Sequence, residues 1–177
     1  NLTFEVLPTR PDRKQNDIAA ILKDALPSDG SSGAIVYCTT RRSAEGVAEY
    51  LRAKGLAAAH YQAGLKPDEK REVQEKFSCG DLRVIAATNA FGMGIDKPDI
   101  RIVIHGDIPG SLENYVQEAG RAGRDRDQAR CVLLFTNDDI ERQFSLNAQS
   151  QLTRPEIGAI LKALRRHDKR TKRDRQV

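Results

Sequence analysis

The sequence predicts an α/β fold in which a doubly wound, mainly parallel sheet has helices on both faces. Short apolar runs alternate with segments whose apolar residues recur at helical spacing, which is the pattern of successive strand–helix units. Some runs, such as residues 34–38, are apolar throughout, as expected of parallel strands that are buried on both sides. The chain has 177 residues, 39% of them hydrophobic and 31% charged, which is enough for one core beneath a charged surface.

The first third of the chain contains two predicted strand–helix units. Residues 2–7 alternate as in a strand, and a helix is predicted from Asp12 until Pro27, followed by a loop over residues 28–33. The apolar strand at 34–38 precedes a second helix that ends near Gly55. Each helix has one apolar face, formed by Ile18, Ile21, Leu22 and Ala25 in the first and by Ala44, Val47, Ala48 and Leu51 in the second.

The middle of the chain continues the same alternation. Further strands are predicted at residues 56–61, 82–87, 100–105 and 131–135. A helix begins at Pro67, turns Val73 and Phe77 inward and ends at Gly80, and another helix begins at Asp138. Apolar residues also recur at helical spacing at Leu112, Tyr115, Val116 and Ala119. Five or six such units predict a parallel sheet with right-handed crossovers.

The C-terminal residues differ in composition from the rest. We expect the sheet domain to cover residues 1–150 and residues 151–177 to form an amphipathic helix with a frayed basic tail. Thr153 opens this helix as a capping box, and its apolar face packs on the sheet or begins another domain. Residues 162–177 hold eight of the 29 basic and two of the 25 acidic residues, so the tail carries +6 and the remainder −2. The tail either binds polyanions or is a solvated end.

Cysteine usage and hydropathy exclude several classes of protein. Cys38, Cys79 and Cys131 are far apart, and the three histidines are equally scattered, which argues against a zinc site or a disulfide framework and favours a reducing compartment. No apolar run approaches the ~18 residues of a membrane span, so we expect no membrane partner. The chain starts without an initiator Met and is expected to be part of a longer protein.

Four polar segments are candidates for ligand binding, and we expect them at the carboxyl ends of the strands. Residues 39–43 (TTRRS) bring hydroxyl and guanidinium groups to a helix N-terminus, which suits a phosphate; alternatively Thr39, Thr40 or Ser43 only caps the helix. Residues 60–65 (HYQAGL) form a polar and aromatic lip that contacts nucleic acid or is simply a turn.

Residues 88–98 and 117–126 are the other two segments. The first contains Gly-x-Gly but lacks the third glycine of a dinucleotide fingerprint, so Thr88 and Asp96 are left to hydrogen-bond a phosphate or a sugar, or the segment is an ordinary turn. The second places two Gly-Arg pairs three residues apart, which suits a polyphosphate; the alternative is an ion-pair cluster with Glu118 and Asp125. No Gly-x-x-x-x-Gly-Lys-[Ser/Thr] loop is present in the chain.

These segments resemble the motifs of a known family in the same order. They are residues 35–44 (IVYCTTRRSA), 60–65 (HYQAGL), 84–98 (VIAATNAFGMGIDKP), 103–105 (VIH) and 117–125 (QEAGRAGRD). Together they are similar to motifs IV, IVa, V and VI of the RecQ family of superfamily 2 helicases. The resemblance covers about residues 1–136 and implies the second RecA-like motor domain.

The resemblance implies an ATP-dependent DNA helicase of 3′ to 5′ polarity. ATP would lie between this domain and an N-terminal RecA-like domain of the same protein, which would carry the phosphate loop and hold most of the ATP and Mg²⁺. The implied partner is single-stranded or partly unwound DNA, and the implied compartment is the cytoplasm, at the bacterial nucleoid, or the nucleus.

The resemblance also implies roles for individual residues. Arg121 and Arg124 would face the γ-phosphate, with Arg124 the better candidate for an arginine finger, and Gln117 would couple the nucleotide to the domain interface. Asp96 would lie near the ribose, with Gly94 of the same motif beside the nucleotide.

A second set of residues is implied to contact the backbone of the DNA strand: Thr39, Arg41, Gln62, Thr88 and Asn89. Phosphate contacts of this kind carry affinity without sequence preference. Gln62 stands where RecQ proteins often have His.

The C-terminal part departs from the family. RecQ proteins commonly continue into a four-cysteine zinc module, whereas no cysteine follows Cys131. Either the chain stops before such a module or its parent lacks one, and we expect no zinc in this chain.

One other function remains open and a second is disfavoured. The chain could be a non-catalytic module that binds nucleic acid or a protein partner with a helicase-like fold. A small nucleotide-binding or receiver-like flavodoxin fold is disfavoured, because neither an acidic pocket nor a glycine-rich loop follows Leu7.

Overall fold

A six-stranded parallel sheet organises the computed structural model, which describes residues 1–27, 30–91, 97–139 and 141. Its elements are β1 (Leu2–Pro8), α1 (Lys14–Ala25), β2 (Gly33–Tyr37), α2 (Arg41–Ala53), β3 (Ala58–Tyr61), α3 (Pro67–Cys79), β4 (Val84–Ala87), β5 (Ile100–His105), α4 (Leu112–Ala119) and β6 (Ala129–Phe135). Residues 137–139 and 141 are helical, in agreement with the helix predicted from Asp138.

The strand order is β1-β6-β5-β2-β4-β3, and every neighbouring pair is parallel. β2 and β5 are central neighbours, and their register aligns Tyr37 with His105. All five residues of β2 are buried, as its unbroken apolar sequence predicts. The predicted doubly wound parallel sheet is therefore confirmed.

Two separate apolar cores cover the two faces of the sheet. Alternate strand residues, such as Val36 and Ile104, pack with α1 and α2 in one core. The intervening residues, such as Ile35 and Val103, pack in the other core with Phe77 of α3 and with the end of α4. Helices thus lie on both faces, as predicted.

The ends of α2 and α3 follow the predicted signals. Pro67 is the first residue of α3, and Gly80 ends the helix with a φ of +94°, a left-handed conformation that favours glycine. Gly55, after α2, has a φ of +81° for the same reason. These local rules depend on neighbouring residues only, which is why the sequence is sufficient to predict them.

Several predicted starts are wrong by about two residues. The helix predicted from Asp12 begins at Lys14, because residues 11–13 form a turn and the Asp12 carboxylate pairs with Arg10. β3 and β4 start later than predicted, since Leu56 and Leu82 still donate to carbonyls of the preceding helices. β2 begins at Gly33, inside the predicted loop, and β6 begins at Ala129.

The apolar face predicted for α4 is only partly buried. Ala119 is 1% exposed, whereas Leu112 is 77% and Val116 58% exposed. The short helix meets the sheet mainly through its last turns, where Tyr115 packs on His105 and the Ala119 carbonyl contacts the thiol of Cys131. Helical spacing predicts the helix correctly but not the depth of each residue.

The contacts between Cα atoms divide the chain into two units, Asn1–Ile140 and Glu141–Val177. The predicted C-terminal helix and basic tail lie outside the described residues, and the predicted boundary at residue 150 stays a prediction. None of the described helices is long and apolar enough to cross a membrane.

Candidate functional site

The four polar segments do not share one edge of the sheet, which corrects the sequence prediction. Residues 39–43, 62–65 and 88–91 follow β2, β3 and β4 at the carboxyl edge. The segment after α4 lies at the amino edge instead, since the Gly123 N–H donates to the carbonyl of Ile100, the first residue of β5, at 2.9 Å. The reason is the crossover, because α4 runs back across the sheet before β6 begins.

At the carboxyl edge, Thr40 and Thr39 play different roles. The Thr40 hydroxyl accepts the N–H of Ser43 at 3.0 Å, so Thr40 caps α2, one of the alternatives considered for this segment. Thr39 donates its backbone N–H and its hydroxyl to one carboxylate oxygen of Asp107, at 2.9 and 3.1 Å. Asp107 therefore holds the loop that precedes α2.

Asp107 belongs to a polar network that sequence reasoning missed. Lys14 Nζ lies 2.9 Å from Asp107 Oδ1 and 3.0 Å from Asp139 Oδ2. Asp139 and Thr136 also bond each other reciprocally as a capping box. The Thr-x-x-Asp pattern at 136–139 was a local signal for the cap, but nothing in the sequence joins it to Lys14.

The pKa directions agree with this arrangement. Burial disfavours charge on both Lys14 and Asp139, but their ionic contacts outweigh it. The pKa of Lys14 is consequently raised by Asp107 and Asp139, and the pKa of Asp139 is lowered by Lys14 and Thr136. Lys14 and Asp139 are therefore both charged at neutral pH.

Arg41 and Gln62 approach the same loop. The Gln62 amide oxygen accepts the N–H of Gly64 at 2.8 Å, while its nitrogen donates to Glu45 at 3.3 Å. A Cβ on Gly64 would lie 3.2 Å from Arg41 Nη1, so the guanidinium reaches this turn. The structure thus brings together two of the residues predicted to bind DNA.

Thr88 and Asn89 differ in accessibility. Thr88 is 8% exposed, and its backbone N–H donates to the carbonyl of Tyr61 at 3.2 Å. Asn89 is exposed and lines a cleft of about 200 Å³ together with Thr39 and Asp107. Asn89 and Thr39 therefore border one surface depression.

At the amino edge, residues 97–99 lie beside residues 123–125. The Asp125 N–H donates to the carbonyl of Pro98 at 3.3 Å. Lys97 is buried, and its Nζ lies 3.1 Å from Asp99 Oδ1. The predicted nucleotide contacts Gly94 and Asp96 fall outside the described residues.

Gly123 is required by the backbone at this edge. Its φ is +60°, and its carbonyl accepts a hydrogen bond from Asn1 Nδ2 at 2.7 Å. A Cβ there would clash with Asn1 Nδ2 and would also lie 3.0 Å from the Asp127 carbonyl oxygen, so a side chain would force its neighbours to move. The Gly-Arg pattern thus has a conformational cause at its second glycine.

Arg121 points inward while Arg124 is exposed. Arg121 is half-buried, and its Nε is buried with no hydrogen-bond partner among the described residues. Burial raises the pKa of Tyr37, and the positive charges of Arg121 and Arg124 oppose that rise. Gln117 of α4, four residues before Arg121, is exposed, and its Nε2 donates to Glu113 Oε1 at 3.4 Å.

The two carboxylates beside the arginines, Glu118 and Asp125, pair with residues of β5. Glu118 Oε2 lies 2.9 Å from His105 Nε2, and Asp125 forms an ion pair with Arg101. The contact of His105 with Glu118 was also missing from the sequence prediction, because the crossover brings these two residues together. No group of three His, Cys, Asp or Glu residues within the described ranges could hold a metal ion.

Comparison with known proteins identifies the family. The family described as "Helicase conserved C-terminal domain" matches residues 17–126. The chain belongs to this family. The match to the helicase C-terminal domain includes every residue proposed for the two edges, from Thr39 at the carboxyl edge to Arg124 at the amino edge.

The relatives of this helicase domain confirm the resemblance to RecQ proteins. It is 42% identical over 151 residues to "Putative ATP-dependent DNA helicase Q1" of Caenorhabditis briggsae, covering 85% of this chain and 24% of that protein. It is 45% identical over 143 residues to "RecQ-like DNA helicase BLM" of Xenopus laevis, covering 80% and 10%. "ATP-dependent DNA helicase RecQ" of Bacillus subtilis is 42% identical over 151 residues, covering 85% and 24%. The chain therefore spans a quarter or less of these relatives.

Solved structures confirm the RecA-like fold of the helicase domain. The E. coli DEAD-box protein SrmB, solved bound to the regulator of ribonuclease activity A, aligns with a TM-score of 0.67 at 22% identity, covering 77% of this chain and 78% of that chain. A DEAD box protein from the hyperthermophile Methanococcus jannaschii aligns with a TM-score of 0.68 at 20% identity, covering 86% and 41%.

Proposed function

We propose that this domain is the second motor domain of an ATP-dependent 3′ to 5′ DNA helicase. In this proposal Arg121, Arg124 and Gln117 face ATP that is bound on an N-terminal RecA-like domain of the same parent protein. The carboxyl edge of the sheet grips single-stranded DNA. The relatives are named as DNA helicases, and that activity is extended here to the parent of this chain.

The observation that carries the proposal is the state of Arg121. Its Nε is a buried donor without a partner among the described residues, which costs about 1–3 kcal/mol in an ordinary fold. Unsatisfied groups of this kind are rare in native structures, and a catalytic role or a bound ion is among their explanations. A phosphate oxygen would satisfy the guanidinium, and so the residues fit a nucleotide.

Arg124 supplies the exposed counterpart. It is solvent-exposed and directly follows Gly123, whose left-handed conformation turns the chain at this point. A positioned arginine stabilises the negative charge of phosphoryl transfer and is worth roughly 10³ to 10⁵ in rate. We assign Arg124 as the arginine finger and Arg121 as the second γ-phosphate contact.

In this proposal the N-terminal domain makes most of the contacts to the nucleotide, and this chain makes the rest. Gly94 and Asp96 remain proposed contacts of the nucleotide from this chain. Mg²⁺ would be held by the N-terminal domain together with the phosphates, where it neutralises their charge. Because this chain has no phosphate loop, we expect it to be inactive in ATP hydrolysis by itself.

DNA binding is proposed for the carboxyl edge. Arg41 supplies positive charge, and the hydroxyl and amide groups of Thr39, Gln62, Thr88 and Asn89 would contact sugar and phosphate. The positions of Arg41 and Gln62 at one turn, and of Thr39 and Asn89 at one cleft, support a continuous track. Such contacts position a strand without reading its sequence.

The test is DNA-stimulated ATP hydrolysis by the full-length parent protein with Arg124→Ala or Arg121→Ala. We expect kcat to fall about a hundredfold or more, because each change removes positive charge from the transition state. ATP and DNA binding, measured separately, should be retained. Arg71→Ala is the control, since Arg71 is an exposed arginine of α3 that pairs with Asp68 on the surface.

Unchanged turnover in both variants would contradict the proposal. The Gly-Arg pairs would then have a structural role, and the alternative of a non-catalytic nucleic-acid- or partner-binding module would be favoured.

A further inference from the structure

His105 is a buried histidine at the carboxyl end of the central strand β5. It is 1% exposed, and its Nε2 lies 2.9 Å from Oε2 of Glu118. Tyr37, its register partner on β2, stacks on the ring with centroids 5.4 Å apart. Tyr115 packs against it with centroids 4.7 Å apart. The imidazole is therefore confined by two rings and one carboxylate.

The contacts of the ring indicate its tautomer. Nδ1 is buried and has no hydrogen-bond partner among the described residues. A neutral ring with its hydrogen on Nε2 donates to Glu118 and leaves Nδ1 as an unpaired acceptor. Glu118 thus acts here as a hydrogen-bond acceptor.

Glu118 and Tyr37, two of the residues that contact His105, both interact with Arg121. Glu118 lies in the last turn of α4, and its carbonyl accepts the N–H of Arg121 at 3.3 Å. Burial raises the pKa of Tyr37, the positive charge of Arg121 opposes that rise, and the Tyr37 hydroxyl donates to the Phe91 carbonyl at 3.1 Å. Residues at the ends of β2 and β5 therefore contact the chain just before and at the first Gly-Arg pair, Gly120 and Arg121.

We propose that His105 and Glu118 are positioning residues that fix the end of α4 to β5 and so set the placement of the Arg121 guanidinium. This inference rests on the proposed function, since it assumes that Arg121 acts on ATP. Such an anchor is needed because the first turns of α4 are exposed. Leu112 and Val116 bury little apolar surface and so contribute little to holding the helix on the sheet. Neither residue is expected to touch the nucleotide.

The test uses DNA-stimulated ATP hydrolysis by the full-length parent with His105→Phe, Glu118→Leu and Glu118→Gln. His105→Phe keeps a flat ring between the tyrosines and removes the hydrogen bond. Glu118→Gln keeps an acceptor oxygen for Nε2, whereas Glu118→Leu does not. Glu75→Leu, at an exposed carboxylate of α3, is the matched control, and Arg121→Ala is the reference.

We expect His105→Phe and Glu118→Leu each to lower kcat about tenfold, with KM for ATP changed less than twofold, because a misplaced arginine affects the transition state most. The double variant should lose no more than either single one, since both remove the same interaction. Glu118→Gln should retain kcat within about twofold. A thermal unfolding curve for each variant reports the folded state.

Different results overturn different statements. If Arg121→Ala lowers kcat while His105→Phe and Glu118→Leu do not, the positioning role is wrong and the proposed function stands. If Arg121→Ala and Arg124→Ala leave kcat unchanged, the proposed function itself fails. A loss in Glu118→Gln equal to that in Glu118→Leu, or a loss of ATP binding in step with thermal stability, would leave these residues a structural role only and would overturn the inference.

Discussion

Lys14 joins three parts of the chain through one ammonium group. Its two carboxylate partners, Asp107 and Asp139, are 93 and 125 residues away in sequence. All three side chains are mostly buried, so the contacts are weakly screened. Because Asp107 also accepts both donors of Thr39, Lys14 indirectly supports a residue that is proposed to bind DNA.

Lys14→Met should lower the free energy of unfolding by about 2 kcal/mol at pH 7, since hydrogen bonds to charged groups contribute about 1.5–3 kcal/mol. The folded pKa of Asp139 is lowered, so this stabilisation is complete above the ordinary carboxyl value and is lost as the pH falls through the folded pKa. The pKa of Lys14 is raised, so the stabilisation persists until the pH rises through that value. Urea unfolding at pH 7 and pH 3 measures the difference.

Lys23→Met, at an exposed position of α1, is the control for this change and should cost little at either pH. An equal loss for the two variants at pH 7 would contradict the network.

At the scale of elements, α4 differs most from what its sequence predicts. The apolar spacing of Leu112, Tyr115, Val116 and Ala119 resembles that of the α2 face formed by Ala44, Val47, Ala48 and Leu51, which are all buried. α4 has eight residues and is attached through its last turns, which places its first turn in solvent. Periodicity identifies which residues share a face, but the neighbouring elements determine how much of that face is covered.

The two ends of α4 should therefore respond differently to the same substitution. Leu112→Gln should change the free energy of unfolding by less than about 0.5 kcal/mol, as is usual at exposed positions. Ala119→Gln should cost about 2 kcal/mol or more, because it overfills a closed site and buries an amide. Denaturant unfolding of both variants measures this, and similar losses would show that the first turn is covered in solution.

At the scale of the whole molecule, one sheet carries both proposed sites. The segments proposed to bind DNA lie at its carboxyl edge and the backbone of Gly123 lies at its amino edge, while the charge of Arg121 acts on Tyr37, the last residue of β2. The segments proposed to bind DNA follow β2, β3 and β4, whereas residues 120–126, which contain Arg121 and Arg124, precede β6. β5 spans the distance, since Asp107 just beyond its carboxyl end holds Thr39 and Ile100 at its amino end holds Gly123. The sheet thus connects the site proposed for DNA with the site proposed for ATP.

The 177-residue chain alone should bind a single-stranded oligonucleotide weakly, with affinity falling about tenfold or more between 50 and 200 mM salt. Fluorescence anisotropy measures this, and Arg41→Ala should weaken binding and reduce the salt dependence, whereas Arg71→Ala should do neither. The same preparation should show negligible ATP hydrolysis with or without DNA. Turnover by the chain alone would contradict the assignment of nucleotide binding to a second domain.

Much of the site could be named before the structure, because its residues stand next to local signals. Thr40 follows an apolar strand and caps a helix, and Gly123 precedes Arg124 in a glycine pattern that the backbone requires. The pairings of Glu118 and Asp125 could not be predicted. The nearest charges in sequence were Arg121 and Arg124, but the fold provides His105 and Arg101 as partners.

The sequence by itself determined the order of strands and helices, the buried strands, the helix ends at Gly55 and Gly80, and the family to which the chain belongs. The strands, helices and helix ends depend on backbone preferences and apolar periodicity within about ten residues, whereas the family follows from the ordered motif strings between residues 35 and 125. The tertiary structure decided that the backbone of Gly123 lies at the amino edge, that α4 is half exposed and that His105 meets Glu118. Each of these depends on where a crossover places residues that are distant in sequence. Local preferences do not say which distant residues come into contact.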